Sequence, residues 1–120
     1  MKIYIVLLLS LFSCSTLKKS PVCNENVVFK KEFLKNIKII EDYFIDSMKV
    51  SNFAEYELLL TEERHKTYKL SLQFISKYAY VSNDMMSSYD GSYPFGVYEK
   101  DREGWLKWYE ENKCNNIQFK

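Results

Sequence analysis

From Val27 to about Met48 the apolar side chains Phe29, Phe33, Ile37, Ile40 and Phe44 recur at spacings of four, four, three and four. That rhythm is one face of an amphipathic helix, and Lys30, Lys31, Lys35, Lys38 and Glu41 fall largely elsewhere on it. Asn24 or Asn26 supplies a side chain able to cap its first turn. Ser51 or Asn52 offers a second cap, after which Phe53, Tyr56 and Leu60 keep helical spacing into the charged run Glu62 to Lys66.

Beyond that run the pattern fits two periods. Tyr68, Leu70, Leu72 and Phe74 alternate with Lys69, Ser71 and Gln73, as in a strand, while Leu70, Phe74, Tyr78 and Val81 fit a helix. No Gly, Pro or Asn between Glu62 and Lys66 would turn a hairpin, so the helix reading is preferred. The alternative is an α+β domain with a hairpin at about 54–75. Ser87 to Val97, with Asp90, Gly91, Pro94 and Gly96, reads as a loop. A last helix is predicted from Glu99 or Lys100 to Lys113, with Trp105, Trp108 and Tyr109 on one face and Asn115 suited to a left-handed turn after it. Gly104 lowers helix propensity there, and a close backbone contact is the expected reason for it. The fold expected is all-α, a small bundle of about four helices.

Composition limits the chemistry. A single histidine, His65, sits in Glu62-Glu63-Arg64-His65-Lys66, which reads as a solvated helix face rather than a catalytic base or ligand. His65 is not at ligand spacing from any cysteine, so no metal site is expected, and the three glycines are too widely spaced for a phosphate loop. No cofactor is implied. Asp90, Glu99, Asp101 and Glu103 surround the one breaker-rich segment. A glycan-processing hydrolase would need two of them to face each other with unlike ionisation, which makes this region the alternative, enzymatic reading. The preferred reading is non-catalytic. Aromatic residues cluster from Tyr78 through Tyr80, Tyr89, Tyr93, Phe95 and Tyr98 to Trp105, Trp108 and Tyr109. Most such rings fill a core. If part of the cluster is exposed, Tyr93, Phe95, Trp105 and Trp108 are the candidate partner-binding residues.

The amino terminus carries an address. Lys2 precedes the apolar run Ile3 to Phe12, broken only by Ser10, and Ser13 and Cys14 follow. Ten helical residues span roughly 15 Å, about half a hydrocarbon core, which suits a secretory signal better than a membrane span. Leu11, Ser13 and Cys14 resemble the lipobox of bacterial lipoproteins, with Phe12 where that family places a small or branched residue. The resemblance covers residues 1–14 and implies cleavage before Cys14, diacylglycerol on its sulfur and acylation, commonly by palmitate, of the new amino group. It divides the chain into a signal peptide, 1–13, a lipidated tether, 14–23, and one helical domain, 24–120.

Several expectations follow from that resemblance. The chain would be held in the cell envelope by covalent lipid, with Ser15 after the cysteine resembling outer-membrane sorting. Its partner would be another envelope or extracellular protein. Removing Lys2 leaves 16 of the 17 basic residues against 16 acidic ones, so nucleic acid is not an expected partner. With Cys14 lipidated, Cys23 and Cys114 remain as a candidate disulfide joining the two ends of the domain.

Overall fold

A computed structural model gives the structure of residues 20–82, 93–94 and 96–120. Over these residues the chain forms four helices: α1 (Val27–Lys49), α2 (Phe53–Leu59), α3 (Glu62–Ser76) and α4 (Val97–Asn112). The all-α class is therefore observed, and the hairpin alternative at 54–75 is not. Glu62–Ser76 is one helix because Thr61, just before it, accepts a hydrogen bond from the Arg64 amide, and no turn chemistry interrupts the fifteen residues that follow. Among the described residues the one extended pairing is an isolated bridge between Asn24 and Asn115.

The periodic face of α1 is the centre of the core. Phe29, Phe33, Ile37, Ile40 and Phe44 are all buried, as their spacing predicts. Asn36 and Tyr43 are buried beside them, which widens the stripe until it faces two neighbours. Asn36 sits in the helix interior because its amide turns back on its own helix, donating to the Glu32 carbonyl at 2.9 Å. Asn26, not Asn24, caps α1, accepting from the Phe29 amide at 3.0 Å. On one side of α1 lies α3, the helix whose backbone approaches it most closely. Tyr43 and Tyr68 stack there with ring centres 4.2 Å apart. On the other side α4 meets α1 through larger rings, with Phe44 stacked on Tyr98 at 4.3 Å and Phe33 on Tyr109 at 5.5 Å.

Three local expectations are corrected. The buried face of α3 is Tyr68, Ser71, Leu72 and Ile75, continued by Ala79, whereas Leu70 is 55% exposed. A Cβ on Gly104 would meet open space, so no close contact accounts for that glycine. The left-handed residue after α4 is Asn116, with φ 47°, rather than Asn115. The last helix also begins earlier than expected, at Val97. Its preceding residue, Gly96, has φ 81°, a conformation that costs glycine little and other residues more.

Candidate functional site

Three places in the fold answer to the expectations about function. The first is the end where the chain enters and leaves the domain. Cys23 and Cys114 form a disulfide with Cα atoms 4.3 Å apart, joining residues 91 positions apart in sequence. Backbone pairing continues from it: the Asn24 amide donates to the Cys114 carbonyl at 3.2 Å, and the Asn116 amide donates to the Asn24 carbonyl at 2.8 Å. The cap residue Asn26 also donates to the Ile117 carbonyl at 2.8 Å. Glu25 accepts from the Tyr109 hydroxyl at 2.7 Å and pairs with Lys30 at 3.2 Å. The Tyr109 hydroxyl, and to a smaller extent the Lys30 ammonium, hold the Glu25 carboxyl below its ordinary range. Burial, then the hydrogen bond to Glu25, pushes the Tyr109 phenol up. The tail continues over this end, where Phe119 packs on Phe29 and the Lys120 amide donates to the Tyr78 hydroxyl. Cys14, the expected lipid site, and the signal segment before it lie outside the described residues.

The second place is the aromatic cluster around α4. Trp105 is fully buried and Tyr93 is 7% exposed, so neither ring is offered to a partner, which corrects the surface reading for both. Trp105 donates its indole N–H to the Tyr80 carbonyl at 2.8 Å. Trp108 is half-buried between Phe33 and Tyr78. Phe95 lies outside the described residues. Asp101 is buried and, among the described residues, accepts from the Ser82 amide at 2.9 Å, the Ser82 hydroxyl at 2.8 Å and the Tyr93 hydroxyl at 2.9 Å. Burial first, then the Asp101 charge, pushes the Tyr93 phenol far up, so it stays a hydrogen-bond donor. Tyr98 is pushed up to about 12, by burial and then by the neighbouring Glu41 carboxylate. Glu99 and Glu103 are exposed on α4, and Asp90 lies outside the described residues. Asp101 thus holds the chain on both sides of residues 83–92.

His65 also differs from its expected solvated setting. It is half-buried at the start of α3, and its Nδ1 lies 2.7 Å from the Tyr43 hydroxyl. Burial, then the nearby Lys69 charge, lowers its pKa below the ordinary histidine value. The shift favours the neutral ring, whose tautomer decides which of Nδ1 and the Tyr43 hydroxyl donates.

The third place was not legible as a site in the sequence. Helix α2 buries none of its residues. Phe53 is 73% exposed and Leu58 78% exposed, and Met48 just before α2 is exposed as well. Sequence periodicity groups Phe53 and Tyr56 with Leu60 as one inward face, yet only Leu60 reaches the core. Among the described residues no cluster of His, Cys, Asp and Glu is placed to hold a metal ion, and no helix is long and apolar enough to cross a membrane. No family model matches the chain, and no similar curated protein or solved structure is found.

Proposed function

We propose that this chain is a bacterial envelope lipoprotein, anchored through lipid on Cys14, whose helical domain is a non-catalytic protein-interaction module. The observation that carries the reading is the disulfide between Cys23 and Cys114. Such bonds form and persist in oxidising compartments and are rare in the reducing cytosol. An exported domain therefore accounts for the pair, and the run Ile3 to Phe12 followed by Ser13 and Cys14 accounts for the export.

The two features also fit together in space. Cys23 follows Cys14 by nine residues, which extend about 32 Å at most. The disulfide end of the bundle would then face the membrane, and α1 would carry α2 outward along its length of about 35 Å. Interaction rather than catalysis is supported by how the acids are used. Asp101 is occupied in holding Ser82 and Tyr93, while large apolar side chains of α2 stand in solvent.

The test is the intact mass of the protein isolated from membranes of a producing bacterium, for wild type and Cys14→Ala, with thiol alkylation before and after reduction. The expected mass corresponds to cleavage before Cys14 plus acyl chains, with Cys23 and Cys114 blocked until reduced. The variant should lose the lipid. An unlipidated wild-type mass would overturn the anchor.

A further inference from the structure

Helix α2 is a poor candidate for a helix that forms for its own sake. A seven-residue helix is far below the length at which a peptide is stable in water, and this one has no fully buried side chain, with Leu59 alone of its apolar residues packed part-buried against the core. It is held instead by polar staples at both ends. Asn52 accepts from the Glu55 amide at 3.0 Å, and the Glu55 carboxylate in turn accepts from the Ser51 amide at 2.9 Å and the Ser51 hydroxyl at 2.8 Å. At the other end the Leu60 amide donates to the Tyr56 carbonyl, and the Arg64 guanidinium donates to the Leu59 carbonyl. Arg64 is itself fixed by Asp46 at 2.8 Å. These bonds, with Leu59 packed against the core, hold a helix whose Phe53, Tyr56 and Leu58 stay exposed. At about 100° per residue, Tyr56, Phe53, Glu57, Ala54 and Leu58 follow one another around the outer side, opposite the inward Leu59.

The charge around this surface selects its occupant. Between Val50 and Glu63 the chain carries Glu55, Glu57, Glu62 and Glu63 and no lysine or arginine. The cations at the borders, Lys49 and Arg64, both turn to Asp46. An apolar helix set among acids, at the end of α1 remote from the disulfide, matches a surface that is apolar and basic. We propose that α2 is the docking surface of the domain and that its occupant is a protein segment with apolar side chains flanked by lysine or arginine. A second copy fits less well, because copies anchored in one leaflet would bring four acids against four. An anionic bilayer is disfavoured by the same charge. The assignment deepens the interaction-module reading and rests on it.

The experiment uses the full chain reconstituted in nanodiscs of zwitterionic lipid, titrated into a labelled amphipathic helical peptide of leucine and lysine while anisotropy is followed. The peptide should bind, and binding should weaken as salt is raised. Phe53→Ser with Leu58→Ser should weaken it at least about tenfold, since two exposed apolar contacts are lost. Leu70→Ser, at an apolar residue exposed on α3, should leave it unchanged, and Glu57→Lys should weaken it without removing any apolar group. A matching peptide of leucine and glutamate should not bind. Equal binding by the double variant, or equal binding of the acidic peptide, would overturn the proposal. Self-association abolished by Phe53→Ser with Leu58→Ser would overturn it in favour of a second copy, and adsorption to free zwitterionic vesicles abolished by the same pair in favour of lipid. The anisotropy readout does not require the anchor: an unlipidated chain that still binds would overturn the anchor alone, and a lipidated chain that does not bind would overturn the docking surface alone.

Discussion

Asp101 is the one buried carboxylate among the described residues, and its removal is the sharpest single-residue test of the fold. Among the described residues its donors are Ser82 N–H, Ser82 O–H and Tyr93 O–H, on either side of residues 83–92. Hydrogen bonds to a charged acceptor are each stronger than neutral ones, and donors left without a partner in a buried place carry a desolvation cost. Asp101→Ala should therefore destabilise the domain by roughly 2 to 4 kcal/mol. The check is the urea midpoint, with Glu103→Ala, at an exposed position two residues on, shifting it little. A midpoint unchanged in Asp101→Ala would mean that those bonds do not form. The sequence gives Asp101 no distinction from Glu99 or Glu103. All three read as acids near a helix start, and only the fold shows which one turns inward.

At the scale of elements, legibility followed how completely an element's apolar face is covered. The core stripe of α1 is readable because five large residues keep one period and all five are buried. In α3 two registers competed, and the one actually buried, Tyr68, Leu72, Ile75 and Ala79, has spacings of four, three and four. That signal was available, but Leu70 and Phe74 offered an equally regular alternative, and periodicity cannot tell which set meets a neighbour. The break between α2 and α3 was hidden for the same reason, since Phe53, Tyr56 and Leu60 continue helical spacing across a change of direction capped by Thr61. The two glycines of the α4 region separate by the same kind of argument. Gly104 lies within α4 with open space around the position of a Cβ, so Gly104→Ala should stabilise by about 0.5 to 1 kcal/mol through helix propensity. Gly96 has φ 81°, so Gly96→Ala should destabilise by about 1 kcal/mol although its surroundings are equally open. Thermal unfolding of the two variants should move in opposite directions, and a shift of the same sign in both would refute the assignment of their roles.

At the scale of the whole molecule the domain is a bundle closed at one end and open at the other. The closed end gathers the disulfide, the Asn24 pairing with Cys114 and Asn116, the Tyr109 bond to Glu25 and the tail packed on Phe29. The cysteine count and the positions of Cys23 and Cys114 outside the outermost predicted helices made this closure legible. The exposed helix at the other end was not, because exposure is decided by what fails to cover a residue. The closure has a measurable signature. A cross-link between residues 91 positions apart restricts the unfolded chain, and the chain-entropy account puts the effect at roughly 4 to 5 kcal/mol before any strain. Cys23→Ser with Cys114→Ser should lower stability by up to that amount, a large part of what a domain of this size commonly has. Because the effect acts on the unfolded state, the freed chain should also expose more surface on unfolding. The urea midpoint should therefore fall while the slope of free energy against urea rises. A fallen midpoint with an unchanged slope would place the cost in lost native packing at Asn24 and Asn116 instead. The hydrogen bonds around Glu25, Asn26 and Lys120 would then be the next residues to alter.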